Sequence, residues 1–212
     1  MRPVPTIGIV VGIAAEARIA RRIGRVEIGG GMPDGARAAS ERLIASGVSA
    51  LLSFGLAGGL DPALPAGTAV IPARILHRGQ GYDADPTLLA WLGGVTAGSI
   101  VAADFPVSSV IAKSALHRDT GASAVDLESG ELAAVAAAHG VPFAALRVIC
   151  DPASRDLPAA ALAALDDKGA IAALRIAISV LRHPGQVPAL LRLAADAYAA
   201  RATLRRRVAV LA

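Results

Sequence analysis

The sequence is poor in aromatic residues, cysteine, histidine and charge. Phe, Trp and Tyr make up 3% of the 212 residues, so the core has to be built from Ala, Val, Leu and Ile. The single cysteine, Cys150, excludes an internal disulfide and fits a cytoplasmic home. His77, His117, His139 and His183 show no metal-ligand spacing, so no metal is expected. Met1 to Pro5 leads directly into a strand pattern, with neither the apolar stretch nor the cleavage site of a signal peptide. Other signatures are missing too. There is no Gly-x-Ser-x-Gly elbow of a serine hydrolase. There is no Gly-Lys-Ser/Thr of a P-loop and no dinucleotide glycine spacing. Basic residues are not interleaved with aromatics, and no zinc-finger or helix-turn-helix spacing occurs, so no nucleic-acid partner is expected.

What is present is apolar. Apolar residues make up 54% of the chain against 18% charged, a balance that folds rather than stays disordered. The length suits a single domain over residues 1–212, with no repeat or linker. The longest uncharged stretch, Leu43 to Leu60, could span a bilayer on length alone. Gly47, Gly55, Gly58 and Gly59 interrupt it, and it reads as a helix end, a buried strand and a glycine turn.

Hydrophobic patterning gives alternating elements. Strands are expected at Ile7–Val11, Val26–Ile28, Ala50–Phe54, Thr68–Ile75, Ser99–Val101, Ala124–Val125 and Ala144–Ile149. Helices are expected at Glu16–Ile23, Pro33–Ser46, Pro86–Leu92, Ser108–Arg118 and Ser129–His139. In the second helix Ala38, Leu43 and Ile44 are expected to face inward, with Gly47 in the glycine position that ends a helix. From about Pro158 the chain reads as helical, with a break at His183-Pro184-Gly185. Alternation of this kind predicts an α/β fold, a three-layer sandwich around a central, largely parallel or mixed sheet. Ligands bind such sheets at the C-terminal ends of the strands.

Three carboxylates stand at those ends: Glu16, Glu128 and Asp151. Any one alone is more often a cap or a surface charge. If their strands are parallel neighbours, all three point into one cleft. Gly55-Leu56-Ala57-Gly58-Gly59 follows a buried strand, where glycines admit close approach and offer amide donors to an anion or a carboxylate. Cys150, with no His near it in sequence, reads as a buried thiol and not a nucleophile.

Val125-Asp126-Leu127-Glu128-Ser129, a helix, Val141-Pro142-Phe143 and Arg147-Val148-Ile149-Cys150-Asp151 together resemble the C-terminal half of the nucleoside phosphorylase superfamily. The block is most similar to the branch of methylthioadenosine and adenosylhomocysteine nucleosidases. Ile7 to Glu16 resembles that branch's opening strand and catalytic-glutamate segment, and Gly55 to Gly59 its central glycine turn. A closer resemblance is to the hopanoid-associated phosphorylases. It is carried by Gly-x-x-x-Glu-Ala-Arg-Ile-Ala-Arg over Gly12 to Arg21 and by the Arg/Ala-rich tail from Leu190 to Arg206.

The resemblance implies an enzyme that cleaves the N-glycosidic bond of a 5′-modified adenine nucleoside. It implies release of adenine from adenosylhopane, or alternatively a soluble nucleosidase of the methylthioadenosine type. A non-catalytic nucleoside- or lipid-binding protein is a third reading. The resemblance implies Asp151 as the acid for purine N7, Glu128 on the ribose hydroxyls and Glu16 at the attacking water or the phosphate. Arg147 would orient a carboxylate, and Gly58, Gly59, Phe105, Val107 and Leu127 would bind substrate. No cofactor is implied, although phosphate is the co-substrate of true phosphorylases. Arg18 and Arg21 are candidates to hold it. Homo-oligomers are common among relatives. Departures exist: Glu16 stands one residue closer to its glycine than in the nucleosidases, Leu127 replaces Met, and Cys150 replaces Ser.

Gln186 to Leu211 reads as one helix with an apolar face of Leu190, Leu193, Ala194, Ala197 and Leu204. Arg192, Arg201, Arg205, Arg206 and Arg207 gather on it. Either it packs on the domain with solvated arginines, or it rests on anionic lipid at the inner membrane face.

Overall fold

The computed structural model describes residues 6–158, 161 and 184–212. The helical expectation between Pro158 and His183 falls almost entirely outside these residues. In chain order the elements are β1 (Ile7–Val11), α1 (Ala14–Ala20), β2 (Arg25–Ile28), α2 (Pro33–Ala45) and β3 (Ala50–Gly59). Next come β4 (Ala69–Val70), β5 (Pro72–His77), β6 (Gln80–Asp83), α3 (Pro86–Trp91), β7 (Ala97–Ala102) and α4 (Val110–Thr120). The last are β8 (Ala124–Asp126), α5 (Ser129–His139), β9 (Phe143–Asp151), a 3₁₀ turn at Pro184–Gln186 and α6 (Val187–Leu211).

The strands form one mixed sheet in the order β2-β1-β3-β8-β7-β5-β6, with β9 pairing both β3 and β4. The pairs β1–β2, β1–β3, β3–β9, β5–β7 and β7–β8 are parallel. The pairs β3–β8, β4–β9 and β5–β6 are antiparallel. β1 and the middle of β9 are buried on both faces, which is why they read as unbroken apolar runs and not as alternating ones. One core face takes Ala17 and Ile19 of α1, Leu88 and Leu89 of α3, and Ala200, Leu204 and Val208 of α6. The other takes Ala36, Ala39 and Leu43 of α2 with Leu132, Ala133 and Ala136 of α5. The result is the expected three-layer α/β sandwich.

Several expectations need correcting. Gly55 to Gly59 is not a turn: β3 runs through all five residues, because β9 pairs beside them on one edge and β8 takes up Gly58 and Gly59 on the other. β6 went unread because Gln80-Gly81-Tyr82-Asp83 has no apolar alternation; it is an edge strand held only by β5. In α2 the inward residues are Ala36, Ala39 and Leu43, while Ala38 is exposed. Gly47 follows the end of that helix with φ +83°, a conformation glycine adopts without penalty.

α6 packs its C-terminal half on the domain through Ala200, Leu204 and Val208. Burying Leu204 and Val208 contributes about 1.5–3 kcal/mol each. Thr203 adds a hydrogen bond to the Gly67 carbonyl at 3.0 Å. Ala194, expected on the apolar face, is exposed, and Leu190, Leu193 and Ala197 are only half-buried. Among the described residues no helix is long and apolar enough to cross a membrane.

Candidate active site

β3 is the axis of the site. Its residue Gly58 pairs with Val125 of β8 on one side and with Asp151 of β9 on the other. Because β8 runs antiparallel to β3, continuing from Val125 to Glu128 leads back along β3 towards Gly55. Because β9 runs parallel, it delivers Arg147 opposite Gly55 and Asp151 opposite Gly58. Glu128 and Asp151 are thus brought to β3 from opposite edges, and α1 supplies Glu16 from the end of β1.

Glu16 is buried and held by three backbone amides. Gly12 N–H donates to Oε2 at 2.9 Å, Ile13 N–H to Oε2 at 3.1 Å, and Leu56 N–H to Oε1 at 2.9 Å. The Ile13 bond is half of a helix cap; the bond from Leu56, forty residues on, ties α1 to the glycine segment. That segment therefore does offer an amide to a carboxylate, the carboxylate being the protein's own. Gly55 leaves the space this needs, since a Cβ there would lie 2.7–2.9 Å from the Glu16 carboxylate. Gly12 does the same for Glu128, whose Oε1 occupies the place a side chain at 12 would take, with Glu16 Oε2 beside it. Burial raises the Glu16 pKa from its ordinary value, against the nearby Arg147 charge and the three amides.

Arg147 is fully buried and joins the cluster. Its Nε lies 2.6 Å from Asp126 Oδ2 and its Nη1 2.9 Å from Glu128 Oε2. Its Nη2 donates to Ser53 Oγ at 2.5 Å and to Ser129 Oγ at 3.2 Å; the Ser129 hydroxyl donates to Asp126 Oδ2, and its oxygen lies 2.9 Å from Ser53 Oγ. Two carboxylates thus bond one guanidinium away from water with Glu16 nearby, an arrangement in which at least one carboxylate tends to keep a proton. Burial, with the charges of Asp126 and Glu16 against that of Arg147, pushes Glu128 up to about 7.

Asp151 sits at the end of β9 and is buried. Lys113 Nζ lies 2.5 Å from Asp151 Oδ2 and donates to the Pro152 and Arg155 carbonyls at 3.2 and 2.8 Å. Burial raises the Asp151 pKa, and the bond and charge of Lys113 work against that rise. Cys150 is partly buried, and its thiol is pushed up to about 12, chiefly by burial and then by Asp151 and Glu16. It is no nucleophile at neutral pH.

The remaining sequence-predicted residues are placed as follows. Gly58 is half-buried, and a Cβ there would stand 3.7 Å from Asp151 Oδ2. Gly59 is buried, its side-chain space filled by Ile149, Pro152 and Ala153. Leu127 is half-buried between Asp126 and Glu128. Val107 packs against the small core around Leu60 and Val125, whereas Phe105, in the loop before α4, is 76% exposed. Arg18 on α1 and Arg21 at its C-terminal cap are exposed, and Arg18 lines a groove against α6 that none of the three carboxylates lines. Among the described residues no group of three or more His, Cys, Asp or Glu side chains is arranged to hold a metal ion.

Sequence reasoning missed Lys113, Ser53 and Ser129. Lys113 is fully buried while Ile111, two residues earlier, is 82% exposed, so α4 inverts the pattern that apolar periodicity follows. Ser53 lies inside an apolar strand with nothing in sequence to mark it. Asp126 and Ser129 lay in the quoted motif, but their bonds to Arg147 could be seen only once β8 and β9 were set on either side of β3.

Buried carboxylates around an arginine, with a lysine-held aspartate at the strand ends of a mixed α/β sheet, form a cluster of a kind suited to acid–base work on a bound small molecule. The family model described as the Phosphorylase superfamily matches residues 16–182, and the chain belongs to that superfamily, a class of nucleoside-cleaving enzymes. Solved structures share the fold. A mutant of the Helicobacter pylori nucleosidase MTAN with 5′-methylthioadenosine in the active site superposes with a TM-score of 0.68 at 18% identity, covering 98% of this chain and 99% of that one. Native futalosine hydrolase of the same species gives 0.68 at 18%, over 99% and 100%. A putative methylthioadenosine nucleosidase from Weissella paramesenteroides gives 0.65 at 17%, over 97% and 99%. No curated protein matches the chain significantly in sequence.

Proposed function

We propose that the protein cleaves the bond between ribose C1′ and purine N9 of a 5′-modified adenine nucleoside and releases adenine. The observation that carries this reading is the convergence of Glu16 and Glu128 on Gly12 with Asp151 across β3. The transition state of such a cleavage places positive charge on the sugar and negative charge on the departing base. Asp151 donates a proton to N7, so the base leaves neutral; with Lys113 on Oδ2, Oδ1 is the oxygen turned to the base. Glu128 accepts hydrogen bonds from the ribose hydroxyls, and its negative charge favours the sugar cation. Glu16 takes the proton of the attacking water as its oxygen bonds C1′, or orients phosphate in its place. Gly58, Phe105, Val107 and Leu127 border the base and sugar, while Gly59 and Arg147 hold the frame around them.

The proposed substrate is adenosylhopane, supported by the resemblance of Gly12 to Arg21 and of the tail to the hopanoid-associated group. Likeness in fold to a nucleosidase holding methylthioadenosine supports a soluble 5′-modified adenosine as the second reading. The membrane contact this reading calls for is assigned to α6, which exposes Leu191, Tyr198 and Val210. Self-association has a place at the exposed Phe105, Val110 and Ile111. The substrate test is release of free adenine from adenosylhopane in detergent and from methylthioadenosine, each with and without phosphate. Adenine from the lipid selects the first reading, and adenine only from the soluble nucleoside selects the second. A sugar phosphate among the products makes the reaction phosphorolysis, and free sugar makes it hydrolysis.

A further inference from the structure

A second feature lies on the outer side of α1. Arg18 lies on that helix and Arg22 in the turn that follows it; Arg201 and Arg205, four residues apart, occupy one face of α6. The two helices pack together, and the four arginines line a cavity of about 310 Å³ completed by Ala15, Ile19 and Val208. Residues at i and i+4 stand one above the other on a helix, and like charges so placed repel. Here one such pair, on α6, shares a groove with Arg18 and Arg22 whose other lining residues are uncharged. No carboxylate lines the groove, and among the described residues none of the four guanidiniums makes a salt bridge or hydrogen bond. Elsewhere in the same protein Arg37, Arg42, Arg74, Arg78, Arg147 and Arg155 each meet a carboxylate. Four guanidiniums lining one groove with no carboxylate among its lining give it a positive potential that favours an anion. Their planar forks suit phosphate oxygens, which they bind in pairs.

We propose that this groove binds a ligand carrying two or more phosphate groups, either a free polyphosphate or the clustered phosphates of an anionic lipid surface. The site is separate from the carboxylate centre. Arg18 lies two residues beyond Glu16, which on a helix sets the two side chains on opposite sides, and none of Glu16, Glu128 and Asp151 lines the groove. A phosphate taken up here is therefore not the one that would attack the sugar.

The experiment compares the full chain with the double variant Arg201→Gln/Arg205→Gln. Titration calorimetry with pyrophosphate is run at fixed ionic strength, beside co-sedimentation with phosphatidylglycerol vesicles. Nucleoside cleavage is measured on both proteins and is expected to be unchanged. Saturable pyrophosphate binding, weakened at least about tenfold in the variant, supports the site with a free polyphosphate as its source. Vesicle binding that the variant loses, without pyrophosphate binding, supports it with lipid phosphate as the source. Absence of both, or binding equal in the two proteins, overturns it.

Discussion

Lys113 Nζ lies 2.5 Å from Asp151 Oδ2, and the lysine is wholly buried. A lysine desolvated to this degree is retained only with a partner, and removing one member of a buried pair costs about 3–5 kcal/mol. Lys113→Met is therefore expected to lower the melting temperature markedly, with Lys113→Arg falling between it and wild type. The lysine also holds the Asp151 pKa down against burial. Its loss lets that pKa rise, so the alkaline limb of the pH–kcat/KM profile should move to higher pH in whatever fraction folds. A limb that stays in place would leave Lys113 a purely structural role.

Glu128 illustrates a group kept at a thermodynamic disadvantage. Its pKa in the folded protein is about 7, above the ordinary 4.5, so the folded state binds the extra proton between those values. Stability drawn from neutral Glu128 is complete below about pH 4.5 and is lost as pH rises through 7. Glu128→Gln removes that dependence. The variant should be more stable than wild type at pH 8 and close to it near pH 5, while its cleavage activity is strongly reduced. Thermal melts at the two pH values check this.

Gly12 makes room for Glu128 Oε1. Gly12→Ala should displace that carboxylate with little change elsewhere, lowering kcat by about 10²-fold, the scale expected for misplacing a reacting group by about an ångström. A folded Gly12→Ala protein with unaltered kcat would remove Glu128 from the reaction.

Phe105 is 76% exposed, and no core contact depends on it. Phe105→Ala should leave the melting temperature within about the small range of surface substitutions and raise KM for the nucleoside. An unchanged KM would place the base pocket elsewhere.

Much of the fold could be read from the sequence because its strands are buried on both faces and therefore continuous, as in Ile7–Val11 and Phe143–Ile149. Edge strand β6 could not, since polar Gln80 and Asp83 carry no such pattern. The candidate carboxylates were legible because they follow strands: the structure brings Glu16, Glu128 and Asp151 to β3, with Arg147 bonded to Glu128. Lys113 was not legible, because helical periodicity assigns Ile111 to the inside and the lysine to water. The end of β9 and the loop after it reverse this by placing a carboxylate and two carbonyls around a single cation. Gly55 was read as part of a turn, yet its place is inside a strand, where the missing side chain admits Glu16.

The most direct test is free adenine released from a 5′-modified adenosine by wild type and by Asp151→Asn at equal folded concentration. Asparagine keeps an oxygen for Lys113 but has no proton of the required acidity for N7. Adenine release by wild type is expected, with a loss of about 10²–10⁴-fold in the variant, the usual contribution of a general acid. Equal release by the two proteins would contradict that role for Asp151.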